Sequence, residues 1–83
     1  MRLLQELTEA NGISGHEHEV RKIMIREMKT LDVQIHTDGL GSVFFEKKGS
    51  QPSPRILVAG HLDEVGFMVT EVTKDGYLRF API

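Results

Sequence analysis

His61, Asp63 and Glu64 fall within four positions of one another, after the apolar run Ile56-Leu57-Val58-Ala59-Gly60 and before Val65-Gly66-Phe67-Met68-Val69. A neutral imidazole with a carboxylate beside it can serve as a metal ligand whose orientation and basicity the carboxylate sets. It can equally serve as a general base in a nucleophile system. In the structural reading, Asp63 caps a turn and His61 satisfies a backbone group, and by two-residue spacing alone this is the commoner case. A complete metal site needs three or four protein ligands, and no obvious set is present. The apolar run itself reads as a strand buried on both faces, a type that delivers functional residues at its carboxyl end. Alternation along an extended backbone then places His61 and Asp63 on one face and Leu62 on the other.

Other polar clusters carry less. His16-Glu17-His18-Glu19 is dense in ligand types but lacks His-Glu-x-x-His spacing. Residues two apart on a helix point about 200° apart, so this run reads as a solvated helix start. Asp63 and Glu64, as strand neighbours, face opposite sides and do not flank one bond at the roughly 5 to 9 Å that glycoside hydrolysis uses. Ser14 and Ser42 have glycine neighbours but no Gly-x-Ser-x-Gly elbow, and no Gly-x-x-x-x-Gly-Lys phosphate loop occurs. Lys47-Lys48 reads as edge-strand protection, and Met24, Met28 and Met68 as core filler.

The elements that must position these residues follow from periodicity. Leu3, Leu4 and Leu7 sit at helical spacing until Asn11-Gly12 supplies a stop. Ser14-Gly15-His16-Glu17 has the Ser-x-x-Glu pattern of a capping box, which predicts that a second helix begins there. Val20, Ile23, Met24, Glu27, Met28 and Leu31 trace its amphipathic stripe, with Arg21, Lys22, Arg26 and Lys29 facing water. From Asp32 the period becomes two: Val33 and Ile35, a turn at Thr37-Asp38-Gly39, then Val43-Phe44-Phe45, which predicts a two-stranded ladder. Gly49-Ser50-Gln51-Pro52-Ser53-Pro54 reads as an exposed loop. After Gly66, Phe67–Val72 and Tyr77–Phe80 read as strands joined by a tight turn at Lys74-Asp75-Gly76. The expected architecture is α/β: two amino-terminal helices packed on a mixed, largely incomplete β-sheet.

Composition narrows the function classes. At 83 residues there is one domain at most, burying only about 60% of its unfolded surface. Twelve acidic against ten basic residues, net −2, argue against nucleic acid and anionic membrane as partners. Without cysteine, any metal is held by His, Asp or Glu. The amino terminus turns polar too soon for a signal peptide and no apolar run approaches membrane-spanning length, so the expected location is the cytoplasm.

Three segments considered together carry more than any one of them: Leu4-Gln5-Glu6-Leu7-Thr8 leading to Gly12-Ile13-Ser14-Gly15-His16-Glu17; Asp38-Gly39-Leu40-Gly41-Ser42; and Ala59–Val69 with its His-x-Asp-Glu-x-Gly-Phe-Met. They resemble the amino-terminal part of the TET-type aminopeptidases, the glutamyl and deblocking aminopeptidases with two metal ions, some members of which are labelled endoglucanases. The resemblance covers nearly the whole chain, and its last segment is the specific one. It implies the start of a zinc-aminopeptidase-like catalytic domain, with His61 a ligand of one of two divalent metal ions, zinc or cobalt. It implies that Asp63 acts in catalysis as the carboxylate orienting His61, and that Gly66 allows close backbone approach. Ser42 stands where members often carry Asn, a small departure.

The same resemblance implies that the bridging Asp, the general-base Glu and the remaining ligands lie downstream of these 83 residues, which would end near the start of an inserted assembly domain. The expected function of the intact protein is metal-dependent removal of amino-terminal residues from peptides, in a homo-oligomer, with this piece alone inactive. The competing reading is a non-catalytic α/β module, or truncated product, in which His61 and Asp63 are structural.

Overall fold

Leu3 and Leu7 of the first apolar stripe are half-buried, and Ala10, just past the first helix, and Val20 of the second are the two buried apolar residues among those described. In the computed structural model, which describes residues 2–83, the elements run α1 (Arg2–Glu9), α2 (His18–Met28), β1 (Gln34–Thr37), β2 (Val43–Glu46), β3 (Phe67–Val72) and β4 (Leu78–Pro82). The α/β class and the order of helices before strands agree with the sequence reading. An ion pair of 2.8 Å between Arg26 Nη2 and Glu6 Oε2 ties α1 to α2. Arg21 Nη1 donates to Gly41 O at 2.8 Å and ties α2 to the turn beyond β1.

The helix ends differ from the expected ones. Gly15 takes a positive φ of 84° in a turn closed by His16 N donating to Ile13 O at 2.9 Å. That turn consumes Ser14, so the capping box does not form, and α2 begins at His18 without a side-chain cap. The Glu17 carboxylate still reaches back, accepting from Gly15 N at 2.8 Å. At the far end the stripe outruns the helix: Thr30 Oγ1 donates to Glu27 O at 2.7 Å, competing with the helical pattern, and Leu31 lies beyond the last turn, 56% exposed.

The two predicted ladders are present and both are antiparallel. β1 pairs with β2, placing Ile35 opposite Phe45 and His36 opposite Phe44. β3 pairs with β4, with the register shifted between Val69 and Glu71, and Phe67 meets Phe80 edge-on at 4.9 Å. One parallel bridge, Ile13 with Glu64, adds the mixed direction.

The Asp38 carboxylate closes the β1–β2 connection by accepting from Leu40 N and Ser42 N, each at 2.9 Å. These bonds, that from Ser42 foremost, hold its pKa below the ordinary carboxylate value. A depressed folded-state pKa stabilises the fold at pH values above the unfolded pKa, and this contribution is lost as pH falls through the lower folded value. Asp38→Asn in the intact protein is therefore expected to flatten the acid limb of a stability-against-pH curve between those two values, measured by chemical denaturation.

The principal correction concerns the run before the site. Residues 53–63 form no strand, and Ile56 and Val58 are 83% and 90% exposed. A doubly buried strand needs a hydrogen-bonded neighbour on each edge and a layer on each face, and no described segment supplies them. Both faces of β3 are likewise exposed. The radius of gyration is 17.8 Å, against about 12 Å for a compact chain of this length.

Candidate functional site

His61 and Asp63 meet although the strand expected to align them is absent. His61 Nδ1 lies 2.8 Å from Asp63 Oδ1 and 3.1 Å from the Asp63 carbonyl oxygen. Two positions apart on an irregular segment, the two side chains meet without the strand alternation expected to align them. A carboxylate and a carbonyl only accept, so Nδ1 is the donor, and in the neutral imidazole form the lone pair is on Nε2. The imidazole is 85% exposed and the Asp63 side chain 41%, so Nε2 is open to an incoming ligand while Nδ1 is held. The site borders an open cavity of about 840 Å³, whose walls include Val20, Met24, Phe45 and Leu57.

The backbone behind the pair is fixed by the loop between α1 and α2. Glu64 N donates to Gly12 O at 2.8 Å, and Gly12 N donates to Glu64 Oε1 at 3.3 Å. Two residues on, Gly66 passes directly over Ile13: a Cβ there would overlap Ile13 Cγ2 and sit 3.0 Å from Ile13 Cβ. The expected role of Gly66 in close approach is what the structure displays. In the intact protein, Gly66→Ala is expected to destabilise the fold by about 1–3 kcal/mol through overpacking, read as a lower urea midpoint. Gly12 is constrained similarly, since a Cβ would fall 2.6 Å from Val20 Cγ2.

The structure places His61, Asp63 and Glu64 on one irregular segment that ends at the Ile13–Glu64 bridge, and leaves His16, His18 and Glu19 exposed at the solvated start of α2. No group of three or more His, Cys, Asp or Glu side chains able to hold a metal occurs among the described residues. With Nδ1 engaged by Asp63, His61 has only Nε2 to offer a divalent cation, one donor where a complete site needs three or four. The contact of Gly12 and Ile13 with Glu64 and Gly66 has no signature in the sequence: some fifty positions separate them, and Gly12 reads there only as a helix stop.

Comparison with known proteins places this arrangement. Residues 41–83 match the profile described as M42 glutamyl aminopeptidase, and residues 1–24 match one described as AMPT. The chain is 49% identical over 81 residues to the FrvX protein of Escherichia coli (strain K12), covering 98% of this chain and 22% of that one. It is 42% identical over 81 residues to the glutamyl aminopeptidase of Lactococcus lactis subsp. cremoris (strain MG1363), covering 96% and 23%. Among solved structures it resembles the TET aminopeptidase from the marine sediment archaeon Thaumarchaeota archaeon SCGC AB-539-E09, with a TM-score of 0.85 and 48% identity over 99% of this chain and 23% of that one. The chain thus spans less than a quarter of the length of the relatives it matches, and within that span it belongs to the M42 glutamyl aminopeptidase family.

Proposed function

We propose that the intact protein is a metal-dependent aminopeptidase that removes amino-terminal residues from peptides, with His61 a ligand of one of two divalent cations, zinc or cobalt. The observation that carries this reading is the 2.8 Å bond from His61 Nδ1 to Asp63 Oδ1 at an exposed ring. A carboxylate placed in this way is the usual support of a metal-binding histidine. Asp63 holds the proton on Nδ1, fixes the ring plane and raises the basicity of Nε2. Filled, such a centre supplies Lewis-acid polarisation of the scissile carbonyl and acidified water. The other donors and the general base belong, in this reading, to residues downstream of Ile83, so residues 1–83 alone do not hydrolyse peptides.

No helix of the described residues is long and apolar enough to cross a membrane. A cytoplasmic protein acting on peptides, without nucleic-acid or membrane partners, and assembling as a homo-oligomer completes the proposal. The test is the metal content and peptide hydrolysis of the intact protein against its His61→Ala variant. Equal metal load and equal rates in the two would overturn the ligand role.

A further inference from the structure

We propose that Glu64 is the positioning residue of this site, its carboxylate latching the His61-Asp63 segment to Gly12 so that the imidazole is held where a cation can take it. The proposal rests on the metal-site reading above and adds a residue to it.

Between the end of β2 at Glu46 and Glu64, no described backbone group is hydrogen-bonded to another. Glu64 is the first fixed point after that unpaired stretch, three residues past His61 and one past Asp63. It is fixed through both its backbone and its side chain: its N–H donates to Gly12 O at 2.8 Å, and Oε1 accepts from Gly12 N at 3.3 Å. Gly12 is itself buried, packed against Val20 of α2. Downstream, Gly66 rests on Ile13 and its carbonyl accepts from Ile83 N at 3.0 Å. The backbone bond needs no side chain, whereas the carboxylate bond is lost when the side chain is truncated, so side-chain variants isolate the latch. Among the described hydrogen bonds, the Glu64 carboxylate accepts from Gly12 and makes none with His61 or Asp63.

The experiment uses the intact protein with Glu64→Ala, Glu64→Asp and Glu64→Gln. Three quantities are read: zinc affinity by competition with a chromophoric chelator, the separate kcat and KM for peptide hydrolysis, and hydrogen exchange of a peptide spanning residues 10–16. Outer partners of a metal ligand are worth about 10- to 100-fold in affinity or activity, and a loss in that range is expected for Glu64→Ala. The loss falls on zinc affinity and kcat, with KM little changed and faster exchange over residues 10–16. Glu64→Asp keeps the charge but is one methylene too short for Gly12, and it behaves like Glu64→Ala. The Glu64→Gln amide oxygen still accepts and recovers most of the loss. Native zinc affinity and exchange in Glu64→Ala would overturn the proposal, as would a Glu64→Gln variant as impaired as Glu64→Ala. If the unaltered protein binds no zinc, the metal-site reading fails on its own, and the exchange rates alone then decide whether Glu64 holds the segment.

Discussion

His61→Ala in the intact protein is expected to lose one equivalent of tightly held metal and to cut peptide hydrolysis on the order of a thousandfold. The magnitude follows from removing a Lewis acid worth several kcal/mol, at a tenfold rate change for each ~1.4 kcal/mol. A methyl group offers the cation no lone pair, and no other described side chain stands beside Asp63 to replace the ring: its one described side-chain partner is His61. Asp63→Asn separates ligation from orientation. The asparagine side chain can present either its oxygen or its NH2 to Nδ1, so the ring loses its enforced tautomer while keeping its place. Its cost should be the smaller one, about 10- to 100-fold, with metal retained at saturating concentration. Metal analysis and steady-state kinetics on the two variants together check the order of severity. An Asp63→Asn variant more damaged than His61→Ala would assign the larger role to the carboxylate.

The 83 residues produced alone are expected to release no amino acids from peptides and to show no cooperative thermal transition. The reason is the amount of apolar surface left in water. Ala10 and Val20 are the only buried apolar residues among those described, while Leu40, Ile56, Val58 and Val65 are each more than four-fifths exposed. Conformational entropy of about 1–2 kcal/mol per ordered residue has too little burial to offset it. Calorimetry should give a broad, featureless trace, and a hydrophobic dye should bind at the exposed strand faces and at residues 56–58. A sharp transition together with metal-stimulated peptide cleavage would contradict both this expectation and the assignment of the remaining ligands to residues beyond this piece.

Much of the architecture is legible in the sequence because it is local. The i, i+3, i+4 stripe of α2, the extended runs of the four strands, and the turns at Asp38 and Gly76 depend on neighbours within a few residues, and these elements form near where the pattern puts them, with shifted ends. The chemistry of His61 and Asp63 is legible too, because any close approach of an imidazole and a carboxylate two positions apart yields the same bond. The route to that bond is not. Ile56–Gly60 has the composition of a buried strand, but composition records only suitability for burial. Pairing requires edges and layers contributed from elsewhere, and none of the described elements lies against it. The capping box fails for a related reason: Ser14 fits the pattern, yet the φ > 0 preference of Gly15 makes a turn the better local solution.

By itself, then, the sequence determined the type and order of the elements, the imidazole–carboxylate pair and the family to which the chain belongs. The tertiary structure alone decided what holds that pair in place: Gly12 against Glu64, and Ile13 beneath Gly66, brought together across some fifty residues. Spacing carries local information because neighbours along the chain are neighbours in space. A contact between distant segments depends on the path of everything between them, and no short-range pattern encodes it.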